Sequence, residues 1–335
     1  MHPGTRRGPA PRCGTDATCH GRRLQVVCAV PSQAGPGRLR RRPGGPILPG
    51  VSQTAIVTGL ALLAFAANSL LCRLALSTGA IDPASFTGVR LLTGAATLLL
   101  LARPRTSTGP GAEPSWTSAA MLFLYAVPFS YAYVSLGAAT GALLLFGAVQ
   151  LTMIVGSLHR GHHPSAGEWA GLALAFGGLV YLLLPGLTAP PPLGAALMLL
   201  AGAAWGVYSL RGQRVRNPLA QTASNFARTA PMVAVLALAA TPTLHLELRG
   251  VLLAALSGAV ASGLGYVAWY RALPELRGVG ASVVQLAVPV LAAGGGVLLL
   301  GERITSRLLL ASLAVLGGIG WALLARPRPA AAARE

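Results

Sequence analysis

The sequence contains no lysine, and only eight of its 335 residues are acidic. Charged residues make up 10% of the chain, whereas a soluble domain carries about 25%. Hydrophobic residues make up 53%, and the mean hydropathy is +0.62. Because so few polar groups cannot cover a soluble globule, this composition excludes an ordinary soluble domain and favours a chain with lipid as its solvent.

The sequence also lacks the patterns of metal, redox and catalytic sites. Four cysteines occur without a CxxC pair, so neither a disulfide framework nor a zinc site is predicted. His159, His162, His163 and Glu168 lack the further carboxylates that orient metal-binding imidazoles, so we expect a weakly positive anchor and no metal. No nucleophile–base pair or carboxylate pair stands out, so no catalytic residue and no cofactor is predicted. A GxxxxGK[ST] loop is absent, which excludes ATP-driven pumping by this chain itself.

Arginine is concentrated in a tail rich in glycine and proline, residues 1–50, which holds nine arginines before residue 43. We expect this tail to be disordered, cytoplasmic and in contact with anionic lipid. Nucleic-acid binding is not expected, because no nucleic-acid-binding fold accompanies the charge. The apolar run 24–30 is at the short limit for a signal peptide, which we reject. A translation start near Val51 is a further hypothesis, and a native peptide covering Arg6 to Arg42 would contradict it.

From Gln53 onward, apolar stretches alternate with short breaks that carry turn-forming residues. Each stretch is close to the ~20 residues that a helix needs to cross the hydrocarbon core. Helices satisfy their own backbone hydrogen bonds in lipid, and the strict alternation of membrane barrel strands is absent. We therefore predict an all-α membrane protein with ten transmembrane helices. The predicted spans are 53–76, 84–102, 116–135, 138–158, 166–185, 193–211, 218–240, 250–270, 278–300 and 305–325.

Arginine placement predicts the orientation, since cytoplasmic connections of membrane proteins are enriched in basic residues. With the N-terminus in the cytoplasm, eleven arginines after the tail fall on cytoplasmic connections and four fall on outer ones. The outer four are Arg73, Arg249, Arg303 and Arg307. The bias predicts a multi-pass protein of the bacterial inner (plasma) membrane with both termini cytoplasmic, which agrees with an even number of spans.

The two halves of the apolar region resemble each other at a spacing of about 140 residues. The matching pairs are Gly161 with Gly301, Gly177-Gly178 with Gly317-Gly318, and Arg90 with Arg228. Five spans per repeat is an odd number, so the second copy must be inserted upside down. Many secondary transporters use such inverted repeats to alternate access around a central site. The predicted domains are a first five-helix repeat at 53–185, a second at 193–325 and a short cytoplasmic tail at 326–335.

An ordered series of short motifs runs through residues 53–325. They are Gly141-Ala-Leu-Leu-Leu-Phe-Gly-Ala-Val-Gln150, Glu168-Trp-Ala-Gly171, Ala204-Trp-Gly-Val-Tyr-Ser209, Gln285-Leu-Ala-Val-Pro289, Gly301-Glu-Arg303 and Gly317-Gly318. In order and spacing this series resembles the drug/metabolite transporter superfamily, in its EamA-type branch. The resemblance implies ten helices in two inverted halves, a central cavity and movement of small metabolites. The first-half box reads Gly161-His162-His163 where the family has Gly-Glu-Arg, which puts in doubt any salt bridge made there in relatives.

Two arginines within the spans are candidates for the substrate pathway. At 1.5 Å per residue, Arg90 lies ~9 Å and Arg228 ~15 Å inside its span. A charge at the centre of a membrane helix costs roughly 2.5–3.5 kcal/mol. Each arginine therefore either faces a cavity and meets an anionic group or extends to the lipid headgroups. The headgroup alternative is favoured for Arg90, and both alternatives stay open for Arg228.

Amide and aromatic residues within the spans are the other candidates. Amides bind solutes but also tie helices together, and Pro289 frees the carbonyl one turn before it, which suits a cavity wall at Gln285. Trp269 and Tyr270, near a span end, are expected to anchor the membrane interface, whereas Tyr131 and Trp205 are expected to bound a cavity. The predicted pathway residues are Asn68, Arg90, Tyr131, Gln150, Trp205, Tyr208, Asn225, Arg228, Tyr266 and Gln285.

The sequence favours a secondary transporter, a permease that moves a small metabolite or drug-like solute by alternating access, and not an enzyme. Two alternatives stay open. One is a structural or regulatory membrane protein without transport. The other is an intramembrane lipid-acting enzyme, which would need a nucleophile with its base or paired carboxylates. Expected partners are a small-molecule solute and membrane lipid; a homodimer is left open and nucleic acid is not expected.

Overall fold

The computed structural model describes residues 49–101, 115–159, 161, 163–186, 189–212, 217–276 and 280–325. The predicted N-terminal tail up to residue 48, the segment 326–335 and His162 lie outside these ranges. Helix dominates the described ranges, where a lone backbone bridge pairs Ile81 with Leu246. The prediction of an all-α chain is therefore confirmed for the part of the chain that the structure describes.

Helices occupy every predicted span. The first half contains α1 (Pro49–Ser77), α2 (Pro83–Leu101), α3 (Trp116–Tyr133), α4 (Ala138–Leu158) and α5 (Ala166–Leu183). The second half contains α6 (Pro192–Gly212), α7 (Pro218–Arg228), α8 (Ala230–Ala239), α9 (Leu248–Leu256), α10 (Gly265–Ala272), α11 (Gly280–Gln285), α12 (Ala287–Leu300) and α13 (Ser306–Leu324). A π-helical segment, Ser257–Leu264, joins α9 to α10, and a 3₁₀ turn, Thr241–Thr243, follows α8.

Eight helical segments of the described chain are long and apolar enough to cross a membrane. The two predicted spans outside that set are α3 and the interrupted α7–α8 pair. The α9–π–α10 segment counts as one of the eight, Leu248–Ala272. The chain is therefore a multi-pass membrane protein.

Interruptions distinguish the second half from the first. Pro231 has no N–H for the carbonyl one turn before it, and α7 ends at Arg228, where the Thr229 hydroxyl donates to the carbonyl of Phe226 at 2.6 Å. A second proline, Pro289, lies in the first turn of α12, just after the break between α11 and α12 at Leu286. The π segment is a third irregularity, and such segments concentrate at functional sites in other proteins. Helices α1–α5 are continuous.

Glycines set the seam between α5 and α13. A Cβ on Gly171 would lie 2.5 Å from the carbonyl oxygen of Gly318, and a Cβ on Gly318 would lie 2.5 Å from that of Gly171. Only glycine lets the two backbones approach this closely, which is how small residues act in membrane helix pairs. Gly178 meets Val315 across the same seam, and Gly318 meets Ala175, so the contacts repeat at the predicted spacing.

The turns that precede α5 and α13 are built alike. Gly161 has φ +84° and Gly301 has φ +65°, the left-handed region that glycine adopts without strain. Ser165 then caps α5 by accepting from the N–H of Glu168, and Thr305 caps α13 by accepting from the N–H of Leu308. In α5 the Glu168 carboxylate also accepts from the N–H of Ser165, which completes a capping box.

Helices of the two halves pack on each other reciprocally. The first helix of the first half, α1, packs on α9, α10 and α12 of the second half. The first helix of the second half, α6, packs on α3 and α4 of the first half. The first helix of each half thus contacts the third and fourth spans of the other, and a cavity lies in the space between these groups.

Candidate functional site

A cavity of about 600 Å³ lies among helices of both halves. Its size falls within the roughly 300–1,000 Å³ of small-molecule sites. Aromatic residues make up only 6% of the chain, yet nine of those in the described ranges line this cavity. They are Phe65, Tyr125, Phe129, Phe146, Trp205, Tyr208, Tyr266, Trp269 and Tyr270. Arg90 is the sole charged residue among the described residues of its lining.

Arg90 lies in the cavity wall rather than at the membrane surface, with 2% of its surface exposed. Its Nη2 donates to the hydroxyl of Tyr125 at 2.7 Å. Its guanidinium carbon lies 4.7 Å from the ring centre of Phe129 and 5.2 Å from that of Tyr125, within the range of cation–π attraction. The remaining donors, Nε and Nη1, are buried without a hydrogen-bond partner.

The position of Arg90 depends on close packing of α2 against the π segment. A Cβ on Gly258 would lie 2.2 Å from the carbonyl oxygen of Arg90. The backbones are therefore in direct contact, and any larger side chain at residue 258 would push α2 away. Ala261 and Ser262 of the same segment line the cavity, so the irregular backbone lies beside the site, as irregular membrane backbone does where it lines a cavity.

Asn68 of α1 connects the two halves at the same level. Its Nδ2 donates to the Tyr125 hydroxyl at 3.4 Å, and its side-chain oxygen accepts from the hydroxyl of Ser257. The Tyr125 oxygen thus accepts from both Asn68 and Arg90. Because the Tyr125 oxygen accepts both of these hydrogen bonds, its hydroxyl proton remains to be donated. Among the described residues, no acceptor takes this proton.

Trp205 lies at the centre of the aromatic wall. Its ring centre is 4.7 Å from that of Tyr125, 5.4 Å from Tyr208 and 5.8 Å from Tyr266. Tyr266 also stacks on Tyr270 at 5.9 Å. Offset and tilted rings at these separations stabilise one another, and the wall presents several flat faces to the cavity.

A second polar group lines the cavity beside these rings. Asn225 donates to the hydroxyl of Tyr208 at 3.3 Å, and this hydroxyl also contacts the hydroxyl of Thr222. The Thr222 hydroxyl in turn lies 2.8 Å from the hydroxyl of Tyr270. The side-chain oxygen of Asn225 is buried without a partner. It is a neutral acceptor at a site where Arg90 and Tyr125 supply donors.

A charged contact centred on Glu302 lies at the end of the bundle where α1 ends and α4 begins. The Nε of Arg73 lies 3.4 Å from the Glu302 carboxylate, and its Nη1 donates to the carbonyls of Tyr133 and Val134 at 2.9 and 3.0 Å. Both carboxylate oxygens accept from the N–H of Ala138, at 2.9 and 3.0 Å. A carboxylate at a helix N-terminus also gains from the helix dipole. None of these residues lines the cavity.

The cavity reaches the opposite end of the bundle. Gly212 and Pro218 flank the α6–α7 connection, Leu273 and Pro274 follow α10, and all four line it. At this end Arg211 donates to the hydroxyls of Ser118 and Ser115 at 3.1 and 3.0 Å, near the start of α3. Among the described residues, these contacts at the mouth are made to hydroxyls and do not include a carboxylate.

The second half of the chain matches a known protein family. The EamA-like transporter family matches residues 192–324, which are helices α6 to α13. PA1977, an uncharacterized protein of Pseudomonas aeruginosa, is 53% identical over 283 residues, covering 84% of this chain and 98% of the relative. The chain belongs to the EamA-like transporter family. The predicted resemblance to the EamA-type branch is thereby confirmed.

A solved crystal structure has the same fold as this EamA-like chain. It aligns with a TM-score of 0.57 at 21% identity, over 82% of this chain and 99% of that chain. At this identity the likeness shows the fold alone. Membership of a transporter family that spans the membrane supports transport as the class of function.

Seven of the ten predicted pathway residues of this EamA-like chain line the cavity. They are Asn68, Arg90, Trp205, Tyr208, Asn225, Tyr266 and Gln285. Tyr131 lies elsewhere, with 39% of its surface exposed. Gln150 is buried with its Nε2 unpartnered, outside the cavity lining. Arg228 contacts the Ser224 hydroxyl and the Trp116 ring, 5.8 Å from its guanidinium carbon, and does not line the cavity.

Several residues of the cavity lining are not among the predicted pathway residues. Trp269 and Tyr270 are predicted at the membrane interface, but both line the cavity. Tyr125 and Phe129 were not among the predicted pathway residues. Tyr125 and Phe129 are four residues apart, so both lie on one face of α3. This spacing is the sequence signal that indicates a shared aromatic surface for Arg90.

Proposed function

We propose that this chain is a secondary transporter that moves a small metabolite or drug-like solute across a bacterial inner membrane by alternating access. In this proposal ten spans form two inverted five-helix repeats, at 53–185 and 193–325, with both termini in the cytoplasm. The observation that carries it is the central cavity, which draws its walls from both halves and reaches the connections at one end of the bundle. Transporters of this architecture bind their substrates at such a repeat interface.

Reciprocal packing supports the inverted repeat. Two halves related by a two-fold axis in the membrane plane should exchange equivalent contacts. The contact of Gly178 with Val315 corresponds to the contact of Gly318 with Ala175 at a spacing of 140 residues. The packing of α1 and α6 is equivalent in the same way. Helix α1 packs on the third and fourth spans of the second half, and α6 packs on the third and fourth spans of the first half.

The two ends of the bundle support alternating access. In the proposed orientation, the Arg73–Glu302 contact lies on the outer side and the mouth of the cavity lies on the cytoplasmic side. The chain is then inward-facing. Outward opening would require the Glu302 carboxylate to release Arg73 and the N–H of Ala138, while the cytoplasmic ends close. A contact of two partly exposed charges is weak enough to break in a transport cycle.

A solute screen tests this proposal. Cells that lack the protein and cells that overproduce it are compared for uptake and efflux of small metabolites. Cells with Arg90→Ala and Arg228→Ala variants, at matched membrane abundance, are measured beside them. We expect at least one solute whose flux follows the amount of protein, with the flux lost in Arg90→Ala and kept in Arg228→Ala. A screen in which no flux depends on the protein would contradict transport.

A further inference from the structure

We propose that the cavity selects an organic anion with one carboxylate and a flat aromatic body, the carboxylate binding Arg90 and the ring lying among the aromatic side chains. This inference rests on the proposed function, because it names the class of solute that the central cavity takes. It follows from the charge, the hydrogen-bond donors and the shape of the cavity.

The charge of the cavity is unbalanced. Arg90 is the one charged group among the described lining residues, and no ion pair of the described chain includes it. An arginine inside a membrane protein is costly unless it pairs with an anion or lies in a wet cavity. Cation–π contacts with the rings of Phe129 and Tyr125 offset part of this free-energy cost. An anionic ligand would offset the rest. A single positive charge matches a single carboxylate.

The free hydrogen-bond positions around Arg90 are donors. Nε and Nη1 of the guanidinium are buried and unpartnered. The Tyr125 hydroxyl already accepts from Arg90 and Asn68, which leaves its proton to donate. Guanidinium groups bind carboxylates through two parallel N–H donors. Neither a cation nor a neutral donor group would satisfy these positions.

The rest of the cavity fits a flat apolar body. Trp205, Tyr208 and Tyr266 form adjoining ring faces, and the volume of about 600 Å³ leaves room for a small ring compound. The free oxygen of Asn225 can accept from a hydroxyl or N–H on that body. No carboxylate occurs among the described lining residues to bind an ammonium group. An aromatic acid should therefore bind more tightly than the amino acid with the same skeleton.

Four related probes test this selectivity on the full-length wild-type protein in detergent. Phenylpropionate carries the ring and the carboxylate, phenylalanine adds an ammonium group, phenylethylamine carries only the ammonium, and propionate lacks the ring. Binding is followed by the fluorescence of Trp205 and Trp269, which line the cavity. We expect phenylpropionate to bind at least about 10-fold more tightly than each of the other three.

Matched variants then test the role of Arg90. Loss of charge-assisted hydrogen bonds should weaken phenylpropionate binding by about 10- to 100-fold in Arg90→Gln. Arg90→Lys keeps the charge but loses the two-donor geometry, so it should fall between Arg90→Gln and wild type. Arg228→Gln, which removes an arginine outside the cavity lining, should bind as wild type does. The probe series on wild-type protein needs no variant, so it remains decisive if Arg90→Gln fails to fold.

The outcomes separate this inference from the proposed function. Phenylpropionate binding that depends on Arg90, without flux in vesicles, would support the ligand class and contradict transport. Flux of some other solute, with equal binding of phenylethylamine or phenylalanine, would support transport and overturn the ligand class. Failure of all four probes to bind the folded wild-type protein would also overturn the ligand class.

Discussion

The two halves of the described chain contribute different parts of the site. Arg90 and Arg228 occupy matching positions, 138 residues apart. Arg90 points into the cavity beneath Tyr125 and Phe129, whereas Arg228 lies over Trp116 outside the cavity lining. The first half has continuous helices, and the second has interruptions at Thr229, at Leu286 and in the π segment. Matching positions in the sequence therefore do not imply equivalent chemistry, because each side chain meets different neighbours.

The arginine pair should show the largest difference between the halves. Arg90→Ala should lower solute flux by about 100-fold, because it removes the sole described charge of the cavity lining and its donors. Arg228→Ala should change flux by less than about 3-fold. The measurement is initial flux in vesicles at equal protein density. Equal losses in the two variants would mean that the arginines act as a symmetric pair.

The glycine seam should show equal effects in the two halves. Gly171→Ala and Gly318→Ala each drive a methyl group into the opposite backbone, which should cost about 1–3 kcal/mol by overpacking. Gly177→Ala and Gly317→Ala meet nothing within 4 Å and should leave stability unchanged. Thermal unfolding of the four purified variants in detergent is the measurement. Destabilisation by the control pair would show that α5 and α13 pack through other faces.

The two ends of the bundle should respond differently to loss of charge. Glu302→Gln keeps an acceptor for the N–H of Ala138 but removes the attraction to Arg73. We expect a cysteine introduced at Ser69, in the cavity lining, to react about 2- to 5-fold faster with an impermeant reagent added outside, because a contact of this kind contributes up to roughly 1 kcal/mol.

This labelling uses a chain whose four native cysteines are replaced. Arg303→Gln, the exposed neighbour of Glu302, is the matched control and should leave the rate unchanged. An unchanged rate in Glu302→Gln would show that the Arg73–Glu302 contact does not close this end.

The smallest predicted effect concerns Asp82, which joins the halves outside the spans. Burial raises the pKa of its carboxyl, but hydrogen bonds from Ser85, His245 and Ala84 outweigh burial and hold the pKa below its ordinary value of 3.8. The stabilisation is therefore present above that value and is lost as the pH falls through the lowered pKa. The melting temperature of wild type should drop in this acid window relative to Asp82→Asn. If the melting temperatures of the two proteins changed with pH in the same way, Asp82 would not cause the loss of stability in acid.

The helices could be predicted from the sequence closely because long apolar windows define them. Ends such as Ala138–Leu158 agree with the predicted span, and Gly161 and Gly301 serve the matching turns that their spacing suggested. The orientation of side chains could not be predicted in this way. Depth along α2 favoured the headgroups for Arg90, but Tyr125, a residue of α3, holds it in the cavity. The π segment has no signature that periodicity could have shown.

Counterflow measures the central claim most directly. Vesicles containing the purified full-length protein are loaded with the solute identified in the cell screen, and a trace of labelled solute is added outside. A carrier that alternates access should concentrate the label transiently above its equilibrium level, and Arg90→Ala should abolish this overshoot. Entry of the label without an overshoot, at the rate of protein-free vesicles, would contradict a carrier built around this cavity.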